Sequence, residues 1–502
     1  MADQDWKQHF WRNTVSNYLR TVLRLASGLV LFRLTFQQLT TEQFGFYSLL
    51  WSLFGYTILL DFGLGFTAQK AVAEKTATGR IDELNELVAT IFWTFAAIGA
   101  LLLVLFVAGR PYFLAWTKVS AENMATFSPA YLGFAAGMAL AFPSGIFPEM
   151  LRGLQRIDLA NWISIGATLV NLVLLGGALL AGWPFAVIVM ISVATTVAPN
   201  AIAWLLVRPR IPGLSLHPRH FRMRAIRGVL SFSLVAYLIT FTNLIMSRTD
   251  QAVISFTLGV SLVALYQAGY KVSEMFGMFS VQMQDALTPA AARLNIQGDR
   301  GGIRDLLLRS SQLTLLLTIP LYGLCAAYLE PLVRILTGLK TVDTATYWVG
   351  QSLLAATFSS LVTNSCSKRI LMMCGWEKKL LVLSLVDALA NLALSLVLVF
   401  PLGVLGVAIG TMIPTVLIGW LWVVPLTARF ADLGTGPYLR QTFGPIALPV
   451  ISGLAVLGAL LALAPMGPDG NFLACAWRGL LVVAAVAAPG WRVARGLRTA
   501  AG

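Results

Sequence analysis

Two arginines embedded in an apolar run are the residues of this chain best suited to chemistry. Arg20 and Arg24 stand with Asn13, Asn17 and Ser27 at spacings of 4, 3, 4 and 3, which aligns all five along one face of a helix with a period of about 3.6 residues. A guanidinium stays charged at any relevant pH and presents a planar fork of donors that matches phosphate oxygens. Gln267, Lys271, Glu274, Gln282 and Asp285 form a second stripe, and Ser233, Tyr237, Thr240, Asn243 and Ser247 a third. A charge at mid-bilayer costs about 2.5–3.5 kcal/mol on insertion scales, so such residues face a hydrated cavity or pair with one another. The stripes predict an anion-binding cavity lined by Arg20, Arg24, Lys271, Asn17, Gln267 and Asn243.

The carboxylates Asp61, Glu274 and Asp387 have two readings each, ion coupling or structural pairing. Counted from a hairpin tip near residues 41–42, Asp61 is level with Arg20 and Arg24, where it either couples an ion or ties an arginine. Lys271 and Glu274 are three residues apart and either serve a passing anion or neutralise each other. The expected order from the cytoplasm is Arg20, Arg24, Glu274, Lys271, a ladder in which Lys271 stands roughly 10 Å above Arg24. Asp387 is alone in its run, as a coupling site or a hydrogen-bonded filler. Arg33 points about 180° from Arg24 and is expected to pack or snorkel. Asp285 reads as a solvated helix end. Gly403, Gly406 and Gly410 read as helix-packing glycines, and Pro143, Pro199, Pro320 and Pro414 as interruptions of apolar runs.

Other chemistries lack their residues. Cys325, Cys366, Cys374 and Cys475 are scattered without a C-x-x-C pair, and His9, His217 and His220 lie outside the apolar runs, so no metal set is expected. No G-x-x-x-x-G-K-[ST] phosphate loop occurs. No catalytic constellation is legible, and the chain is expected not to be an enzyme. The first residues lack a cleavable signal pattern, which leads us to expect a retained N-terminus.

The elements that must position these residues are membrane helices. Of 502 residues, 57% are hydrophobic and only 12% charged, against about 25% charged in soluble domains. With mean hydropathy +0.76, the excess apolar surface must face lipid. The net charge of +14 is distributed between hydrophobic runs, which argues against nucleic acid as a partner. At about 20 residues per span, the sequence divides into fourteen: Asn13–Leu39, Phe44–Phe66, Leu87–Val107, Phe127–Phe147, Leu159–Leu180 and Phe185–Val207; then Val229–Met246, Leu262–Ala286, Leu313–Tyr328, Tyr347–Val362, Leu380–Phe400 and Val404–Val424; finally Phe443–Leu463 and Phe472–Ala488. With both termini cytoplasmic, about 26 Lys/Arg fall inside and six outside, the bias that sets orientation. The expected fold is therefore an all-α polytopic membrane protein, N-in and C-in.

Weak matches recur at an offset of about 220 residues, among them Leu39-Thr-Thr-Glu-Gln-Phe-Gly-Phe-Tyr47 with Leu258–Tyr266, and Val170-Asn171-Leu172 with Ala390-Asn391-Leu392. Six spans per repeat make the halves parallel, as two six-helix bundles plus two extra C-terminal helices, an architecture typical of transporters. The expected division is 1–207 for the first bundle, 208–228 for a basic cytoplasmic linker, 229–428 for the second bundle and 439–490 for the extra helices.

Asn13-x-x-x-Asn17-Tyr18, Leu31-Phe-Arg33, Glu42-Gln-Phe-Gly-Phe-Tyr47 and Leu59-Leu-Asp61-Phe-Gly63-Leu resemble the start of polysaccharide repeat-unit flippases. Those flippases belong to the multidrug/oligosaccharidyl-lipid/polysaccharide exporter superfamily. Leu151-Arg-Gly-Leu-Gln-Arg156, Arg248-Thr-Asp250 and Ala264-Leu-Tyr266 are similar too. The resemblance implies a bacterial inner-membrane protein that moves undecaprenyl-diphosphate-linked oligosaccharide to the periplasmic leaflet by alternating access, for lipopolysaccharide or exopolysaccharide synthesis. It implies no cofactor beyond proton or sodium coupling, and polysaccharide polymerase machinery as a partner. It also implies that cations on spans 1 and 8 serve the diphosphate, for which Arg20, Arg24 and Lys271 are suited; Glu274 beside Lys271 departs from a purely cationic site. The alternatives are a drug/cation antiporter of the same superfamily and a membrane glycan polymerase or ligase.

Overall fold

The computed structural model describes residues 2–56, 60–61, 63–120, 122–224, 234–284, 287–463 and 472–498. Every regular element among them is helical. The chain divides into two compact units, one of residues 1–241 with 259–264, the other of 242–258 with 265–502.

The first unit holds α1 (Ala2–Gln38), α2 (Thr41–Tyr56), α3 (Leu64–Ala77), α4 (Ile81–Trp116), α5 (Met124–Ser144), α6 (Ile146–Gly153), α7 (Ile157–Leu180) and α8 (Phe185–Val207). Helix α1 packs on α7, α4 on α5, α5 on α8, and α7 on α8. α2 starts with a reciprocal cap: the Gln43 amide donates to Thr40 Oγ1 and the Thr40 amide to Gln43 Oε1, both at 3.2 Å. One core cluster sits where α3, α4, α6 and α8 meet, around Leu84, Val88, Ile91, Met150 and Val207.

The other unit draws on α9 (Leu234–Thr257), α10 (Ser261–Gln284), α11 (Leu287–Gln297), α12 (Arg300–Ala327), α13 (Leu329–Thr337), α14 (Thr344–Met373), α15 (Glu377–Leu402), α16 (Val404–Ile418), α17 (Val424–Phe430), α18 (Thr435–Phe443), α19 (Ala447–Leu463) and α20 (Phe472–Arg498). Helices α12 and α14, α14 and α16, and α15 and α16 pack together, with α19 and α20 against α12. The tightest of these joints is the α15–α16 hairpin. A Cβ on Gly406 would lie 2.0 Å from the Leu398 carbonyl oxygen, and one on Gly410 would lie 2.6 Å from the Ser395 amide nitrogen. Gly406 and Gly410 are thus helix-packing glycines as the sequence suggested, whereas Gly403 is not: a Cβ there would meet nothing within 4 Å, and its φ of +59° makes it the turn glycine between α15 and α16.

The repeat is visible in helix starts. α2 and α10, α4 and α12, α5 and α14, α7 and α15, and α8 and α16 begin 219 or 220 residues apart. The pairings α4–α5, α5–α8 and α7–α8 recur as α12–α14, α14–α16 and α15–α16.

Eight helices among the described residues are long and apolar enough to cross a membrane on length and composition alone. They correspond to the expected spans 3, 4, 5, 6, 9, 11, 12 and 13. Spans 1 and 8 carry polar stripes, which lower their apolar content; span 2 is divided between α2 and α3, and span 7 lies partly outside the described residues. Several helices also overrun the expected limits: α1 begins at Ala2 rather than Asn13, and α14 runs on from Val362 to Met373. Charged turns continue a helix beyond the apolar stretch. Of the four prolines, Pro143 stands just before the α5–α6 break, whereas Pro199, Pro320 and Pro414 lie within α8, α12 and α16.

Exposed tryptophans bracket the lipid-facing stretches of α4 and α7. On α4, Trp93 and Trp116 are separated by about 34 Å of helix at 1.5 Å per residue; on α7, Trp162 stands near the start and Trp183 just past the end, and all four are exposed. That spacing matches aromatic belts on either side of a hydrocarbon layer about 30 Å thick.

Candidate anion site and buried carboxylate network

In the first unit, Arg20 is half-buried and Arg24 exposed. The Arg20 Nη2 donates to Asn17 Oδ1 at 2.7 Å, which orients the guanidinium one turn below Arg24. Ser16 behind this stripe accepts from Asn161 Nδ2 of α7 at 2.9 Å, anchoring the opposite side of α1. Arg24 and Arg152 of α6 are both within electrostatic range of Arg20. Arg152 is itself ion-paired with Glu149, so Arg20, its side chain tied in place, and Arg24 are the cations suited to a multiply charged anion. The Asn13 side chain lies outside the described residues.

Asp61 does not tie to Arg20 or Arg24. Its Oδ1 accepts from the Gly65 amide at 3.0 Å, capping the first turn of α3. A Cβ built on Gly65 would lie 3.2 Å from Asp61 Oδ1 and 3.4 Å from Glu149 Cγ, so the two carboxylates flank the same point. Both line a cavity of about 390 Å³ whose walls include Phe54, Phe66, Phe95 and Phe142. Glu149 is ion-paired with Arg152. Hairpin depth was a one-dimensional estimate; it could not register that the helix breaks near Asp61 and turns the carboxylate to a cap.

At the other end of α2, Glu42 accepts from the Ser120 amide at 2.7 Å and from Asn123 Nδ2 at 2.6 Å. Gly45 admits the backbone of Val260: a Cβ there would lie 1.9 Å from the Val260 carbonyl oxygen, and the Val260 amide donates to Thr117 O at 3.1 Å. The Glu42–Tyr47 motif thus has a structural use, with Tyr47 hydroxyl paired to Ser192 at 2.7 Å.

In the second unit Lys271 Nζ meets Glu274 Oε2 at 2.8 Å, the mutual pairing that was one of the two readings. Gln267 is buried on the same helix. The Asn243, Gln282, Ser233, Tyr237, Thr240 and Ser247 side chains, and Asp285, lie outside the described residues.

Asp387 is 3% exposed on α15, with Thr415 of α16 beside it and Lys368 of α14 within electrostatic range. One turn on, Asn391 is fully buried. Asp250 of α9 accepts from the Tyr266 hydroxyl and, at 3.0 Å, from Thr411 Oγ1. Thr411 and Thr415 are one turn apart on α16, so that helix presents a hydroxyl to each carboxylate. The Oδ1 atoms of Asp250, Asp387, Asn364 and Asn391 have no hydrogen-bond partner. Buried polar oxygens of this kind are costly unless a cation, proton or water satisfies them. Asp387 is legible in the sequence as a lone carboxylate in an apolar run, whereas Lys368 lies beyond the apolar stretch that ends at Val362, and Asp250, Asn364 and Asn391 have no sequence signal that ties them to a carboxylate. Among the described residues, no group of three or more His, Cys, Asp or Glu is gathered.

A family profile described as "Polysaccharide biosynthesis protein" matches residues 10–295. No curated protein matches the chain significantly. Among solved structures, the lipid II flippase MurJ in an inward closed conformation superposes with a TM-score of 0.70 at 15% identity, covering 96% of this chain and 98% of that one. An inward-facing multidrug resistance transporter of the MATE family, in the MOP superfamily, gives 0.64 at 16% identity over 82% and 96% of the two chains. A MOP superfamily transporter from Pyrococcus furiosus, with a binding pocket of reversed polarity, gives 0.56 at 16% over 84% and 96%. At these identities the likeness is one of fold, that of MOP superfamily transporters, and this is a multi-pass membrane protein.

Proposed function

The chain belongs to the polysaccharide biosynthesis protein family, and from that membership we propose that it is a flippase for undecaprenyl-diphosphate-linked oligosaccharide. It carries its substrate from the cytoplasmic to the periplasmic leaflet of a bacterial inner membrane by alternating access, and delivers it to polysaccharide polymerase machinery. The observation that carries the reading is the Arg20–Arg24 pair, with Arg20 tethered to Asn17 and Arg152 in electrostatic range. A diphosphate brings charge that lipid cannot solvate, and fixed guanidinium groups replace part of its lost hydration. At an effective dielectric of about 20, opposite unit charges about 4 Å apart gain roughly 4 kcal/mol before desolvation. Lys271, held by Glu274, has the smaller part. Both termini and the long basic loops face the cytoplasm in this reading.

The driving force enters through the second unit. In this reading Asp387, buried beside Thr415 with one carboxylate oxygen unsatisfied, is the seat of a coupling proton or sodium ion. The test of function is the leaflet in which substrate accumulates: inactivating the gene should leave lipid-linked sugar on the cytoplasmic face. Normal periplasmic delivery in its absence would end the reading.

A second reading has one observation in its favour. A cavity that places Asp61 and Glu149 among four phenylalanines suits a lipophilic cation, as a drug/cation antiporter needs. Asp61→Asn should then abolish resistance to such cations and leave polymer synthesis intact.

A further inference from the structure

Residues 208–224, which follow α8, form a fixed strap along α4. Asn85 grips it twice, donating through Nδ2 to Gly213 O and accepting from the Ser215 amide at Oδ1, both at 2.9 Å. Thr90 Oγ1 accepts from the Arg222 amide at 2.8 Å, and Trp93 Nε1 donates to Leu216 O at 2.9 Å. On its inner side Ile211 is 1% exposed in the core cluster, and Leu214 and Leu216 pack against it. On its outer side Arg208, Arg210, Arg219, Arg222 and Arg224 are exposed. None of the five forms an ion pair with a carboxylate among the described residues, although Asp82, Glu83 and Glu86 stand on the same end of α4; Glu83 is taken by Lys75 and Arg80.

Orientation bias asks only that a loop be basic; it does not ask that the loop be tied down by four hydrogen bonds with its arginines exposed, three of them steadied by bonds to Leu206 O, His220 and the Arg219 and Phe221 carbonyls. The depth is also set. Trp93, half of one aromatic belt, hydrogen-bonds the strap directly, so the strap runs at headgroup level rather than in open water. Met223, 51% exposed between two of the arginines, presents an apolar tip at the same level. Guanidinium forks at that depth face lipid phosphates, and anionic lipids add net charge that zwitterionic ones lack.

We propose that the strap of residues 208–224 is a preformed seat for anionic phospholipid headgroups, distinct from the Arg20–Arg24 site. The experiment uses the full-length protein in native mass spectrometry, with phosphatidylglycerol, cardiolipin and phosphatidylcholine added separately. Anionic lipids should be retained on the order of tenfold more than phosphatidylcholine. The combined variant R208Q/R210Q/R219Q/R222Q/R224Q should lose that preference. N85A/T90A keeps every arginine but releases the strap, and it should lose most of the preference as well. Equal retention of all three lipids, or retention unchanged in the five-arginine variant, would overturn the seat. An N85A/T90A protein that binds anionic lipid like the wild type would reduce the strap to loose charge. Inorganic phosphate that displaces the lipid at millimolar concentration would make this a free-phosphate site. Melting temperature and gel-filtration profile of each variant, measured alongside, exclude loss by unfolding.

Discussion

At the scale of single residues, the arginine stripe carries the sharpest expectation. Losing half of a gross attraction of roughly 4 kcal/mol weakens binding about 30-fold. Arg24→Ala should therefore abolish most polymer synthesis in a complementation assay at matched protein levels, while insertion is undiminished. Arg24→Lys should restore part of it, since the charge remains and the fork is lost. Arg33→Ala, on the other side of α1, should have a much smaller effect; a defect as severe as that of Arg24→Ala would place the anion elsewhere. For the buried network, Asp387→Asn keeps the shape and removes the charge. It should slow transport driven by an ion gradient at least tenfold without changing substrate retention in detergent, a split that a mere packing defect would not produce. The arginines were readable because a stripe of period 3.6 needs only local spacing. Asp250 and Lys368 come from helices distant in sequence from α15, and only the folded hairpin of α15 and α16 brings Thr411 to Asp250 and Thr415 to Asp387.

Among elements, the glycines separate contact from conformation. Gly406→Ala drives a methyl group into the Leu398 carbonyl, and the α15–α16 joint must open to admit it. Overpacking of this kind typically costs about 1–3 kcal/mol, so a thermal unfolding scan should register a clear drop in melting temperature. Gly458→Ala on α19, where a methyl group meets nothing within 4 Å, should be neutral or slightly stabilising, because alanine favours the helix. An equal loss in both would mean that helix propensity, not the close approach, governs. Apolar runs made the helices of α4, α7, α8, α15 and α16 legible, since lipid-facing surface and helix length are the same signal there. α1, α9 and α10 carry the polar stripes, and α2 is only 16 residues long, so length and composition alone fall short on helices that hold or adjoin the candidate residues. The break between α2 and α3, and the cap Asp61 makes there, depend on geometry that hydropathy does not encode.

For the whole molecule, the two units repeat one another in helix starts and in packing order, as the offset in sequence led us to expect. The basic bias of the loops leads us to expect both termini in the cytoplasm. Reporter fusions placed after Arg222 and after Arg495 should both report cytoplasm; an external signal at either would reverse the topology. Trp93 and Trp116 of α4 have a consequence for the membrane itself. Indoles about 34 Å apart along a rigid helix cannot both reach their preferred boundary in a bilayer of arbitrary depth. Hydrophobic mismatch must be met by tilting α4 or by stretching and thinning the surrounding acyl chains, at fractions of a kcal/mol per ångström. In vesicles of graded acyl-chain length, the transport rate should therefore peak at an intermediate length and fall on both sides. The acyl composition of the host membrane would then tune the protein without touching any residue that handles its cargo.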